Sequence, residues 1–352
     1  MHIVHIMQNV RSGDKSRLHL KAGHADQLLN LFFNTTTVAQ VEHSHTYRVL
    51  ITMKFPQAIA HRGYKAAHPE NTMAAFRGAV QVGAHAIETD VHLSKDGVVV
   101  LCHDVTLKRC FGDPRKVADC TWEDLSKLRT VDQAKEPLPR LADLLLYLAE
   151  PQNEHMWILL DIKPHDDPEL LCSGIANAVS SVPTTGRPWS ERIVLAVWKG
   201  EWISICRQHM PGFQNAVTTF SPKYASAMLE VPNVHLSLFN HGFATNRGSR
   251  IRQSAKGNSR MIFSWSDNED IWMARSIQND IDGVITDDPN RFMELCGRWG
   301  EEGVRDKASK RTMGQKVQWV LLNVLILVYE VVSLVIKGSP RKVVKSAVAL
   351  PA

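Results

Sequence analysis

The densest run of reactive side chains in this sequence lies between His61 and His103. Ala60-His61-Arg62-Gly63 puts an imidazole and a guanidinium at the end of a short apolar run. Pro69-Glu70-Asn71-Thr72 follows as a turn into a helix, where Glu70 and Asn71 are expected to support the same site. Ile87-Glu88-Thr89-Asp90-Val91 then sets two carboxylates at i and i+2 on one strand. Alternate residues of a strand face the same way, so both can reach one cation. Oxygen-rich ligands suit Mg²⁺ or Ca²⁺ better than zinc. His103-Asp104 ends the next apolar run, and Leu160-Asp161-Ile162-Lys163 repeats the i, i+2 spacing with a third carboxylate and a lysine. Placed at successive strand ends, these residues form one site.

The elements that must position them alternate along the chain. Candidate strands are Gln57–His61, Ala86–Val91, Val98–His103, Met156–Ile162, Arg192–Trp198, Asn215–Phe220, Val234–Leu238, Met261–Trp265 and Gly283–Thr286, with helical stretches after most of them. Such alternation over about 240 residues predicts a parallel α/β architecture, of a length that suits a TIM (β/α)8 barrel; on pattern alone a doubly wound open sheet also fits. Nine strands are one too many for the barrel. The link Ser94-Lys95-Asp96-Gly97 is too short for a parallel crossover, so the second and third strands are expected to pair as an antiparallel hairpin. Eight strands then remain, and Asp90 lies nearly opposite His103.

Outside this region the chain reads differently. Residues 1–52 show no sustained period beyond a weak helical pattern over His24–Phe33, and no apolar core of signal-peptide type; they are expected to be a poorly ordered, dispensable extension. The barrel is assigned to 53–300 and a basic linker to 301–316. Residues 317–336, VQWVLLNVLILVYEVVSLVI, contain a single charge, Glu330. Twenty helical residues span about 30 Å, the thickness of a bilayer core, so this hydrophobic tail helix is read as a membrane anchor that either spans or lies in the interface. A short basic tail, 337–352, closes the chain. The barrel is then expected on the cytosolic face of an intracellular membrane such as the endoplasmic reticulum, the mitochondrial outer membrane or a lipid droplet. A net charge of +5, concentrated toward the C-terminus, does not suggest nucleic acid as a partner. The six cysteines form no zinc-type spacing and are read as reduced thiols.

The motifs AHRG, PENTMAAF, GAHAIETDVHLSKDGVVVLCHD, LLDIK and GVITDDP resemble the glycerophosphodiester phosphodiesterase family, from about Gln57 to Arg298. Asp161 in DIK, the stretch SERIVLAVWKGEW and the hydrophobic tail resemble its fungal phosphatidylglycerol-specific phospholipase C branch. The family usually has glutamate where Asp161 stands. The resemblance implies a TIM barrel in which His61 and His103 are the acid–base pair. It also implies that Glu88, Asp90 and Asp161 hold the divalent cation, and that Arg62 and Lys163 contact phosphate. Physical chemistry agrees: a phosphodiester anion must be neutralised before attack, and two imidazoles titrating near neutrality can share the proton transfers.

Within that family the nucleophile is substrate-borne, the 2-hydroxyl of a glycerol next to its phosphate. Phosphatidylglycerol carries that hydroxyl in its headgroup, so the expected reaction releases diacylglycerol and glycerol 3-phosphate. A glycerophosphodiester or lysophospholipid substrate, cleaved in a phospholipase D sense, is the alternative, and an inactive lipid-binding barrel is a third reading. Trp265 matches an aromatic position that walls the family's pocket. His68, His85, His92 and His165 are expected at the surface or behind the site. Asp287 and Asp288 are expected to close the last barrel loop without touching substrate. Trp198 and Trp202 fit either a lipid-facing rim or the core.

Overall fold

The computed structural model describes residues 55–348, apart from 244–245, several positions between 311 and 329, and 331–339. The extension expected over 1–52 therefore lies outside the described residues. Eight parallel strands close into a ring: β1 (Gln57–His61), β2 (Ala86–Leu93), β4 (Trp157–Ile162), β5 (Ile193–Val197), β6 (Gln214–Thr219), β7 (Val234–Phe239), β8 (Ile262–Trp265) and β9 (Gly283–Thr286), with β9 returning to β1. This is the TIM barrel and not the open sheet.

The ninth strand, β3 (Val99–Leu101), hangs antiparallel on β2 outside the ring. The link between them is a tight turn in which Gly97 takes φ +81°, a left-handed conformation that costs a residue with a Cβ. The pairing sets Val91 against Leu101, and the Cys102 amide donates to the Asp90 carbonyl at 3.1 Å. His103 thus falls one residue beyond the position opposite Asp90.

Strand periodicity decides what faces the barrel axis. Ile59, Ala86, Leu159, Val194, Ala216 and Phe263 fill an apolar layer in the lumen. Glu88, Asp90 and Asp161 sit on the same strand faces but nearer the carboxyl ends, so the polar site rests on that apolar floor. The opposite faces carry Ile87, Val91, Leu160 and Ile162 against the helices. These include α1 (Met73–Gln81), α2 (Leu141–Leu148) and α3 (Pro168–Ser180). In α2 the buried residues are Leu141, Leu144, Leu145 and Leu148, the i, i+3, i+4, i+7 stripe of a helix with one apolar face. Further round lie α4 (Trp202–His209), α5 (Pro222–Met228), α6 (Asn246–Gly257), α7 (Asp270–Gln278) and α8 (Pro289–Gly297).

After the barrel, two described helices pack against it. The short helix α9 (Val304–Ser309) packs on α7, and α10 (Pro340–Val348) packs on α4 and α5 with Val344 and Ala347 in the main core. The anchoring helix expected over 317–336 falls partly outside the described residues. Among the described residues no helix is long and apolar enough to cross a membrane.

One buried cation holds the barrel wall together. Arg192, 1% exposed, donates Nε to the Met156 carbonyl (2.9 Å) and Nη2 to the carbonyls of Leu148 (2.7 Å) and Asn153 (3.1 Å). Arg192→Ala removes the guanidinium from three carbonyls, of which only that of Asn153 keeps another donor, the Met156 N–H, and is expected to cost about 3 kcal/mol of stability. Urea unfolding measures it, and a loss below about 1 kcal/mol would show that water replaces the guanidinium.

Candidate active site

At the carboxyl ends of the strands, where barrel enzymes place their chemistry, a cleft of about 190 Å³ opens. His61, Arg62, Glu88, Asp90, Asp161 and Lys163 line one side, with His103 reaching in from beyond the hairpin. Trp198, Phe220 and Trp265 line the other. The structure thus brings together all eight residues expected to touch cation, proton or substrate.

The three carboxylates are 4%, 1% and 6% exposed for Glu88, Asp90 and Asp161, and one oxygen from each lies within 4.8 Å of the others. Register explains the grouping: Asp90 pairs with Asp161 across β2 and β4, and His61 pairs with Glu88 across β1 and β2. Burial, with Asp90 and Asp161 alongside, pushes the Glu88 carboxyl well above its ordinary range. Burial also raises Asp161, partly offset by Lys163. Asp90 goes the other way: against its burial, Lys163 and Arg62 hold it far below the usual value. Lys163 Nζ bonds Asp90 and lies 2.6 Å from Asp161 Oδ2. Three buried carboxylates face one lysine and one guanidinium, and the Glu88 carboxyl stays raised above its ordinary range. An oxygen-liganded divalent cation fits that donor set and that deficit of positive charge.

Arg62 is held in place by its neighbours. Its Nη1 donates to Glu70 Oε1 at 2.9 Å, its Nε lies 3.3 Å from Asp90 Oδ2, and its backbone N–H donates to Glu88 Oε2 at 2.9 Å. The residue sits at φ +55°, uncommon for a long side chain, which aims its amide at the carboxylates. The next residue must be glycine, because a Cβ on Gly63 would meet the Ala75 backbone at 2.7 Å. Asn71, 3% exposed, donates Nδ2 to Asp90 Oδ2 at 2.9 Å and accepts from Thr89 Oγ1 at 2.7 Å. Glu70 and Asn71 therefore stand behind the cleft as supports. Arg109 braces Glu70 and also donates to Asp104 at 2.6 Å.

Each imidazole has its own carboxylate. His103 Nδ1 lies 2.7 Å from Asp104 Oδ1, and burial lowers its pKa, only partly countered by Asp90. His61 Nδ1 lies 2.5 Å from Asp287 Oδ1. Despite burial, the bond to His61 and the nearby Lys65 bring Asp287 down to about 2, so it stays ionised. Asp287 is expected from sequence only to close the last loop; the structure makes it the partner of the His61 imidazole. His68, His85, His92 and His165 do not line the cleft. His92 is buried against Asp166, with Nδ1 2.6 Å from Oδ2.

Trp198 is the second residue the sequence undervalued. Its Nε1 donates to both oxygens of Asp161, at 2.8 and 3.1 Å, while its ring meets Phe220 and Trp265. Asp161 is thus oriented from two sides, by Lys163 and by an indole. Partners that orient a ligand commonly support metal affinity by ten- to a hundredfold. Trp198→Phe keeps the ring and removes the donor; it is expected to weaken divalent-cation binding by about tenfold. Calorimetric titration with Mg²⁺ or Ca²⁺ checks this, and unchanged affinity would leave Lys163 as the sole orienting group.

Known proteins complete the picture. Residues 61–291 match the glycerophosphoryl diester phosphodiesterase family. A glycerophosphodiester phosphodiesterase of Caldanaerobacter subterraneus is 27% identical over 251 residues, covering 69% of this chain and 98% of that protein. Human glycerophosphodiester phosphodiesterase 1 is 36% identical over 115 residues, 31% of this chain and 34% of its own length. A phosphodiesterase of Oleispira antarctica, solved in complex with the product sn-glycerol-3-phosphate, shares the fold with a TM-score of 0.60 at 20% identity, over 70% of this chain and 96% of that one. A glycerophosphodiester phosphodiesterase of Thermotoga maritima does so with a TM-score of 0.56 at 23% identity, over 69% and 99%. The chain belongs to the glycerophosphoryl diester phosphodiesterase family, enzymes that hydrolyse phosphodiester bonds with a divalent metal.

Proposed function

We propose that this enzyme hydrolyses phosphatidylglycerol to diacylglycerol and glycerol 3-phosphate at a membrane surface, as in the fungal phosphatidylglycerol-specific phospholipase C branch. The two-sided cleft carries the reading. Its charged side suits a phosphate with a vicinal hydroxyl, and its aromatic side, Trp198, Phe220 and Trp265, suits glycerol carbons and the start of an apolar leaving group. At about 190 Å³ the cleft holds a headgroup and leaves acyl chains outside, since sites that engulf drug-sized ligands run to about 300–1,000 Å³. Thr218 Oγ1 and Trp265 Nε1, both cleft-lining, have no hydrogen-bond partner among the described residues and suit glycerol hydroxyls.

Glu88, Asp90 and Asp161 would hold the divalent cation, Mg²⁺ or Ca²⁺, which when bound would supply positive charge against the phosphate. Arg62 and Lys163 add to that charge. His103, whose partly buried ring is shifted toward the neutral form, takes the proton of the glycerol 2-hydroxyl as its oxygen bonds to phosphorus. The P–O bond to diacylglycerol breaks, and His61, charge-balanced by Asp287, gives that oxygen a proton. Water then opens the cyclic phosphate with the roles reversed. Holding the hydroxyl next to its phosphorus replaces a bimolecular encounter and is worth several kcal/mol.

A panel of phospholipids incubated with the enzyme, with and without chelator, tests the proposal. Diacylglycerol is expected from phosphatidylglycerol alone; release of phosphatidic acid or of soluble alcohols only would favour the glycerophosphodiester alternative. The roles also predict a pH profile. The base form of His103 persists below the ordinary histidine midpoint of about 6.5, so the acid limb of kcat/KM should fall below that pH. An acid limb above it would remove His103 from the role of base.

A further inference from the structure

Beside the aromatic side of the cleft lies a buried carboxylate that the reaction does not use. Asp267 is 0% exposed, and no lysine or arginine among the described residues pairs with it. Three neutral donors converge on it instead: Asn240 Nδ2 (3.1 Å) and Ser264 Oγ (3.0 Å) on Oδ1, and Ser276 Oγ (2.6 Å) on Oδ2. Burial pushes the carboxyl up to about 6 against those donors, so at neutral pH it is chiefly an anion. A buried charge without a counter-ion is costly, and hydrogen bonds to a charged acceptor are the stronger kind. A satisfied network of this sort holds its surroundings in one arrangement.

What it holds is the wall. Strands β7 and β8 pair with Phe239 opposite Trp265, so the two rings stand side by side at the carboxyl ends. Their centroids are 5.3 Å apart, and the Phe220 ring lies 5.4 Å from Phe239 and 4.8 Å from Trp265. The chain leaves both strands through the same clasp: Asn240 directly follows Phe239, and Ser266 and Asp267 directly follow Trp265. The Asn240 amide spans the two loops, donating to Asp267 and, at 3.2 Å, to the Ser266 carbonyl. Its own oxygen lies 2.5 Å from His241 Nδ1, and that ring stacks on Phe239 at 4.8 Å. Ser276 ties the carboxylate to α7 outside the ring. Strands β2 and β4, which carry the three carboxylates of the cation site, stand across the ring from β7 and β8. The clasp therefore acts on the aromatic side of the cleft and not on the charged side.

We infer that Asp267 is a positioning residue that fixes Phe239 and Trp265 as one wall and so sets the enzyme's preference for an apolar leaving alcohol. The inference rests on the reading that the aromatic side receives the leaving group and deepens it: the wall selects because it is held ready before substrate arrives.

The test uses the full chain and two soluble substrates, the ethyl and octyl phosphodiesters of glycerol, alongside phosphatidylglycerol in detergent micelles. The wild type should favour the octyl over the ethyl diester in kcat/KM. Asp267→Ala should lower that ratio by about tenfold or more, through a raised KM for the octyl diester with kcat little changed, because the wall binds the alcohol alike in ground and transition states. Cation affinity by calorimetry should stay within about twofold of wild type, since the clasp touches none of the three carboxylates. Asn240→Ala cuts the link between the loops and leaves the carboxylate its two serines; it should lower the ratio in the same way, and carries the test if Asp267→Ala does not fold. In a Trp265→Ala background, Asp267→Ala should change the ratio by less than about twofold, because no wall is left to position. A wild type indifferent to the alcohol, a ratio kept by either folded variant, or the full loss repeated in the Trp265→Ala background would overturn the inference. If the diesters behave as expected and phosphatidylglycerol is not cleaved, the lipid reading fails and the role of Asp267 stands. If phosphatidylglycerol yields diacylglycerol and the ratio does not move, the role of Asp267 fails and the lipid reading stands.

Discussion

His61→Ala is expected to lower kcat/KM toward a glycerophosphodiester by about 10³-fold while the protein stays folded. The imidazole lies in the cleft wall with its side chain 16% exposed, so its removal opens space to water without emptying the core. Its Nδ1 is engaged by Asp287 at 2.5 Å and its Nε2 lies 4.0 Å from Glu88 Oε2. The substrate-facing nitrogen is therefore the one next to the cation site. Positioned proton transfer is worth about 10²–10⁴ in rate, and its loss should appear in kcat with KM little changed. Asp287→Asn, which keeps the shape and removes the charge, should give a smaller loss of the same kind. An alanine variant with full activity would take His61 out of the reaction altogether.

The second large effect concerns the cation. Chelation should abolish hydrolysis, and titration with Mg²⁺ or Ca²⁺ should restore it. Asp90→Asn should lower activity by about 10³-fold, and cation affinity by at least a hundredfold, more than loss of an orienting partner alone would cause. Asp90 is the hub: it receives Asn71 at 2.9 Å, bonds Lys163 and faces Arg62. An asparagine there leaves two buried cations facing less negative charge, which opposes binding of a third. Calorimetry separates the two arms, because a variant that binds the cation normally yet turns over slowly would place Asp90 on the substrate and not on the metal.

Much of this was legible in the sequence because it is local. Glu88 and Asp90 share a strand face by their spacing, and Asp161 and Lys163 repeat it, so one carboxylate cluster follows once β2 and β4 are neighbours. The four-residue turn after Leu93 forced β3 out of the ring and settled the strand count. What escaped depends on contacts that no spacing announces. Asp287 lies 226 positions from His61 and meets it only because β9 closes on β1. Trp198 ends an apolar strand and looks like packing until its indole N–H is seen on Asp161. Glu330 reads in sequence only as the single charge of the tail stretch; its partners, Ser221 and Lys223, are more than a hundred residues away.

The His61–Asp287 pair joins the first strand of the ring to the loop after the last. A ribosome-bound chain that has not yet released β9 lacks the carboxylate that orients the His61 imidazole. The full set of site contacts is then completed only on ring closure, late in synthesis.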